Sequence, residues 1–210
     1  MPSTSSAISP AMADERTFPL LIALGANLRR RCADGTGTSP AETLRIALQE
    51  LATGGLVVEA ASTIYRTPPI GGPESQPPYA NQVIAGRFSG SPADALDLLM
   101  EIERRFGRER TGAVRHAPRT LDLDLLDFAG RVLPDSATWH RAADGEMPDA
   151  PLILPHPRMH QRAFVLVPLA EIRADWLHPV LAVSACDLLK ALDPTDRAAI
   201  HPWPMTSGKA

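Results

Sequence analysis

The amino-acid sequence predicts an α+β fold, an antiparallel sheet with helices packed on it, and three observations carry that prediction. Short apolar segments of strand character lie at 17–28, 56–67, 79–90 and 120–130. Segments with the 3.6-residue apolar period separate the first from the second and the third from the fourth. Both of these begin with Ser-Pro, a pair suited to the cap and first turn of a helix. The order β-α-β-β-α-β is that of a ferredoxin-like sandwich.

Each element follows from its residues. "TFPLLIALGANL" is an apolar strand that stops at Gly25, with Asn27 just beyond. "SPAETLRIALQEL" offers Ser39 as cap, Pro40 at the first turn and Glu42 three residues after the cap, and Leu44, Ala47, Leu48 and Leu51 share one face. "LVVEAASTIYRT" reads as a second strand, and "PPIGGPESQPP" is too rich in Pro and Gly for regular structure. "YANQVIAGRFSG" is the third strand. In "SPADALDLLMEIERRFG", Ala95, Leu98, Leu99 and Ile102 face inward, and Arg104 and Arg105 fall on the solvated side. "TLDLDLLDFAG" is the fourth strand. Residues 131–150 read as a loop insertion, and "LILPHPRMHQRAFVLVPLAEI" as a short strand, a turn and a helix. One domain is expected over 17–192, between a disordered tail at 1–16 and a polar, Pro-bearing tail at 193–210; Met12 is a second possible initiator.

Composition narrows the function classes. A net charge of −3 gives no global attraction to nucleic acid or to anionic membrane. Only Lys190 and Lys209 of the 21 basic residues are lysines, which a GC-rich genome would also produce, so Arg carries functional meaning only where it clusters. Cys32 and Cys186 form no metal or redox motif, which points to a reducing cytoplasm. No apolar run reaches the length of a membrane span, and the start lacks the apolar core of a signal peptide.

The chemistry concentrates in "RHAPRTLDLDLLDF", 115–128. On a strand, Leu121, Leu123 and Leu125 point one way and Asp122 and Asp124 the other, roughly 7 Å apart at Cα. Two converging carboxylates suit Mg²⁺, which keeps waters and accepts substrate phosphates as further ligands. A plain antiparallel strand with one wet face has the same alternation, so the pair alone leaves both readings open. The preceding segment favours the first. Arg104, Arg105, Arg108, Arg110, Arg115 and Arg119 stand against Glu103 and Glu109, a local +4 in a chain of −3. An Arg-rich, Gly-bearing loop leading into two carboxylates suits a polyphosphate. Neither a Walker-type "GxxxxGK[ST]" nor a GxGxxG follows a strand, which disfavours P-loop ATPases and protein kinases. His156 and His160 have helical metal-ligand spacing, but Pro157 lies between them and no third ligand is near, so His156 is better read as a positioned hydrogen-bond donor. Arg162 and Phe164 place a cation beside a ring. Tyr79 and Asn81, on one face of their strand, offer a ring to stack on and an amide to read a heteroaromatic edge, although an ordinary strand-edge Tyr would look the same.

"LGANL", "YRTPPI", "YAN", "IERRFGRER", "RHAPRTLDLDLLDF" and "LPHPRMHQRAFVLVPLAEI", in this order from about Phe18 to Pro179, resemble the 6-hydroxymethyl-7,8-dihydropterin pyrophosphokinases of folate biosynthesis. The resemblance implies transfer of the β,γ-pyrophosphate of ATP to the pterin's hydroxymethyl group, leaving AMP. It implies two Mg²⁺ on Asp122 and Asp124, and a catalytic set of Arg108, Arg119, Asp122 and Asp124. Nucleotide contacts would come from Arg108, Arg110, Arg115, Arg119, His156 and Arg162, with Glu103 nearby. Thr67, Pro68, Ile70, Tyr79, Asn81 and Phe164 would form the pterin pocket, the ring lying between Tyr79 and Phe164, and Gly25 and Asn27 would border it. The sequence departs from the family pattern at His116 and Ala117, where Trp and Gly are common, at Ala26, where Ser is common, and in the length of 131–150. A stand-alone monomeric enzyme is expected, acting on small molecules and not on nucleic acid or membrane. An RNA reader of the same fold class would place aromatic rings where Asp122 and Asp124 stand, and the chain is only 5% aromatic. A homologue that binds pterin or ATP without turnover is the remaining alternative.

Overall fold

Nine residues from Phe18 to Ala26 form β1, the strand around which the molecule is built. The computed structural model describes residues 16–31, 36–69, 76–108 and 118–204. After β1 come a two-rung hairpin, β2 (Arg30–Arg31) and β3 (Gly37–Thr38), then helix α1 (Pro40–Thr53), β4 (Val57–Ala61), β5 (Tyr65–Thr67), β6 (Tyr79–Phe88) and α2 (Pro92–Arg105). Strand β7 (Asp122–Phe128) follows, then α3 (Ser136–Ala143), a 3₁₀ turn at Met159–Gln161, α4 (Ala163–Arg173), α5 (Ala185–Ala191), α6 (Pro194–Ala198) and β8 (His201–Pro202).

The main sheet runs β7-β1-β6-β5-β8, with β4 also paired to β6, and every pairing is antiparallel. With β4 and β5 taken as one broken strand, the order is fourth, first, third, second, as expected for the ferredoxin-like arrangement. The break at 62–64 divides the segment expected as one strand. Ser62 explains it: its amide donates to the Val83 carbonyl, its hydroxyl accepts from the Val83 amide at 3.1 Å, and its carbonyl takes Gln82 Nε2 at 2.7 Å. Gly86 sits where β4 passes closest; a Cβ there would lie 2.5 Å from the Val57 carbonyl oxygen.

Both Ser-Pro helix starts behave as the sequence predicts. Ser39 accepts from the Glu42 amide at 3.2 Å, and Ser91 forms a reciprocal capping box with Asp94. Helices α1 and α2 bury Leu44, Ala47, Leu51, Ala95, Leu99 and Ile102 against Leu20, Ile22, Leu24, Leu123, Leu125 and Phe128, closing one face of the sheet. The opposite face is half covered: α4 and α5 set Val165, Leu166, Leu169 and Leu188 on Leu21, Val83, Ala85 and Leu126. The β-α-β-β-α-β core alone supplies helices to one face, so this second layer belongs to the C-terminal part of the chain.

Two expectations need correction. Residues 131–150, expected as a loop, contain α3. Asp135 caps it by accepting from the Thr138 amide at 2.8 Å, and Thr138, Trp139 and Ala142 are buried together. Its apolar period rests on one aromatic among polar neighbours, too little to be read from sequence. Residues 193–204, expected as tail, carry α6 and β8. Asp193 caps α6 with Pro194 in the first turn, β8 pairs with the edge of β5, and the Trp203 amide donates to the Ile64 carbonyl at 2.7 Å. A two-residue strand has no periodicity to detect. The expected N-terminal tail lies, up to residue 15, outside the described residues.

Candidate active site

The part of the second face beyond α4 and α5 holds the polar residues that the sequence singles out. Register places them in rows. Gly25 pairs with Asp122 on one side and Asn81 on the other, and Asn81 pairs with Tyr65, so Asp122, Gly25, Asn81 and Tyr65 form one row across four strands. The strand spacing sets Asp122 and Asn81 about 10 Å apart at the backbone. Asp124 lies in the adjoining row opposite Ala23, and Thr67 pairs with Tyr79 in the row beyond Asn81.

Both aspartates of the pair are partly exposed, and each faces positive charge. Asp122 Oδ1 accepts from Arg108 at 2.5 Å and Oδ2 from Arg119 at 2.6 Å. Asp124 has the Arg162 guanidinium 3.9 Å away. Burial works against the charge of Arg119, but Asp122 beside it more than offsets that and raises its pKa. Arg162 is deeper, and its pKa is lowered by burial despite Asp124. Arg162 also lies over the Phe164 ring, 5.4 Å from its centre.

Glu103 is 1% exposed on α2. Its carboxylate accepts the Leu123 amide at 2.8 Å and pairs with Arg108. It thus holds the backbone between the two aspartates and one of their cations. Asn27, expected at the border of a pterin pocket, grips the segment before β7. Its Oδ1 accepts the Arg119 amide at 2.7 Å, the Asn27 and Leu28 amides donate to the Arg119 carbonyl, and its Nδ2 donates to Gln76 Oε1 at 3.3 Å and the Pro77 carbonyl at 3.4 Å.

At the other end of the row, Asn81 Nδ2 donates to Thr67 Oγ1 at 2.7 Å. Asn81 Oδ1 sits over Gly25, where a Cβ would come within 3.0 Å of it. The lack of a side chain at Gly25 therefore lets Asn81 lie flat on the sheet. Tyr79 is half-buried, and its phenol pKa is raised by that burial and by Asp122, with Arg119 opposing. Phe164 packs at the rim of the apolar half of this face. Pro68 follows β5 and is exposed. Ile70, Arg110 and Arg115, and with them His116 and Ala117, lie outside the described residues.

His156 stands beside β7, its amide donating to the Leu126 carbonyl at 2.8 Å. Burial lowers its pKa, helped by Arg162 and Arg158 and opposed by Asp124, so the ring is neutral at neutral pH. Its Nδ1 accepts the Arg158 amide at 3.2 Å, which leaves Nε2 to carry the proton as a donor. Arg158, which sequence reasoning passed over, thus adds positive charge near His156 and Arg162. Its signal was its place between those two residues in "HPRMHQR".

Residues 21–174 match the family described as 7,8-dihydro-6-hydroxymethylpterin-pyrophosphokinase. A 2-amino-4-hydroxy-6-hydroxymethyldihydropteridine pyrophosphokinase of Synechocystis sp. is 38% identical over 80% of this chain and 74% of its own. One from Haemophilus influenzae is 35% identical over 75% of this chain and 83% of its own. Among solved structures, Plasmodium falciparum HPPK-DHPS superposes with a TM-score of 0.60 over 85% of this chain at 13% identity, a likeness of fold; the match spans 44% of that longer chain. The chain belongs to the 7,8-dihydro-6-hydroxymethylpterin-pyrophosphokinase family.

Proposed function

We infer that this chain transfers a diphosphate group from ATP to 6-hydroxymethyl-7,8-dihydropterin in folate synthesis. The observation that carries the reading is the row Asp122–Gly25–Asn81, which sets an Arg-ringed carboxylate pair and an amide fixed by Thr67 on one sheet face, beyond the helices α4 and α5. The substrate hydroxyl oxygen bonds to the β-phosphorus, the bond from that phosphorus to the α,β-bridging oxygen breaks, AMP leaves with the bond's electron pair, and the hydroxyl proton passes to solvent. Positioning and charge neutralisation dominate such a transfer.

Asp122 and Asp124 would hold Mg²⁺, two ions in this reading. They fit: oxygen donors on alternate positions of one strand, already set among cations, and two carboxylates are what Mg²⁺ uses when phosphates and water complete its shell. Bound Mg²⁺ would neutralise phosphate oxygens. The chain's own groups do the rest. Arg108, Arg119 and Arg162 take up phosphate charge as AMP departs, joined by Arg110 and Arg115. The neutral His156 donates a hydrogen bond from Nε2. Asn81 and Thr67 read the pterin edge, Tyr79 and Phe164 flank its ring, and Pro68 and Ile70 line the pocket. The enzyme acts as a cytoplasmic monomer on two small molecules; among the described residues no helix is long and apolar enough to cross a membrane, and Cys186 is free.

The test is AMP formation from ATP and Mg²⁺, with and without 6-hydroxymethyl-7,8-dihydropterin, beside Asp122→Ala/Asp124→Ala. Pterin-dependent AMP is expected from the native chain, reduced on the order of 10³-fold or more in the double variant. Folded native protein that makes none would leave a homologue that only binds.

A further inference from the structure

Helix α3 lies between β7 and the segment that carries His156, and its one large apolar side chain, Trp139, is 1% exposed. A buried indole N–H needs an acceptor. Trp139 Nε1 donates to the Pro155 carbonyl at 2.7 Å, the peptide that leads directly into His156. The Trp139 ring also lies tilted on His160 with centres 5.5 Å apart, and edge-on to the buried His178 at 5.0 Å. Residues 155–162 are thus held from two sides, by β7 through the His156 amide and by α3 through the Pro155 carbonyl. Met159 is fully buried between these anchors and Arg162. The two groups belong to one planar peptide, so turning it, and the His156 ring with it, would break both bonds.

We propose that Trp139 is a positioning residue for the nucleotide end of the site: it orients His156 through the Pro155 carbonyl and steadies the run up to Arg162 through His160. The inference rests on the pyrophosphokinase reading and gives the 131–150 segment a role in binding ATP, as a buttress behind His156. A merely structural Trp139 would affect stability and both substrates alike.

Trp139→Phe keeps a ring in place and removes the N–H. The native chain, W139F, H156A and the double variant are compared by AMP formation against ATP and against pterin, with calorimetric binding of ATP in Mg²⁺. A lost buried hydrogen bond predicts a KM for ATP raised about tenfold in W139F, with kcat and the pterin KM within about twofold, and less than about twofold further change when W139F is added to H156A. Asp135→Ala loosens α3 from its exposed cap and should raise the ATP KM by a smaller factor in the same direction. W139F with native ATP KM and affinity, or a tenfold rise that persists undiminished on H156A, overturns the proposal. Should W139F not fold, D135A decides it, and a native ATP KM there overturns it. A native chain without pterin-dependent AMP or ATP binding defeats the functional reading and this inference together, whereas an active native chain with an ATP-indifferent W139F defeats the inference alone.

Discussion

The two faces of the central sheet are made by the same strands and end in opposite conditions. On the face beneath α1 and α2, every second residue of β1 and β7 up to Leu125 is apolar and water is excluded. On the other face α4 and α5 cover Leu21, Val83, Ala85 and Leu126, and the strand ends beyond them carry Gly25, Tyr79, Asn81, Asp122 and Asp124. Three aspartates of β7 show what the difference does. Asp122 and Asp124, at the uncovered end, are surrounded by arginines. Asp127 is brought to the same face by a bulge opposite Leu21 and Ile22, lies under the helical cover, and meets no cation among the described residues. Burial raises its pKa, against weaker help from Gly130 and Trp176. Carboxylates ten ångströms or so apart along one strand thus differ in chemistry because one lies under a helix layer and two do not.

Substitutions on the closed face should separate stability from catalysis. Leu44→Ala, fully buried beneath the sheet, is expected to cost about 3 kcal/mol of unfolding free energy while both substrate KM values stay native. Chemical denaturation beside steady-state kinetics reads both, and a changed KM would show that the faces are coupled. The covered half of the second face supplies a pH test. His178 is fully buried, its pKa is lowered to about 4 by burial and by His160, and its Nδ1 accepts the Val180 and Leu181 amides. The unfolded chain takes up this proton near pH 6.5 and the folded chain only near 4, so stability falls as pH drops across that window and is level above it. The loss attributable to His178 is about 3 kcal/mol at the acid end. His178→Asn keeps an acceptor and should flatten the profile, leaving the slope due to His160, whose pKa burial also lowers. An unchanged profile would assign the acid sensitivity elsewhere. The smallest effect belongs to the uncovered end. Gly25→Ala pushes on Asn81 Oδ1 and should weaken pterin binding about tenfold, with ATP binding and the melting temperature unchanged. Loss of ATP binding instead would mean that the row transmits strain to Asp122.

Much of the site can be read without coordinates. Alternation in "TLDLDLLDF" separates Asp122 and Asp124 from the leucines, and the strand order follows from Ser-Pro helix starts and apolar periods, because both depend on residues near one another in the chain. The sequence also brings Arg108, Arg119, His156, Arg162, Tyr79 and Asn81 to notice as residue types suited to phosphate and to a flat ring. What it leaves undetermined needs partners far apart in the chain. Glu103 looks like one more charge on an Arg-rich helix end, and only packing of α2 on β7 turns it into the buried acceptor of the Leu123 amide. Asn27 reads as a strand-end residue until folding sets it against Arg119, 92 positions away. The helix at Trp139 and the strand at His201–Pro202 carry almost no periodic signal, since each is stabilised by an acceptor or an edge that distant residues supply. Local pattern determined which atoms could do the chemistry. Tertiary packing decided which of them are covered, because burial is set by the whole chain and the same carboxylate behaves differently once water and cations are removed from it.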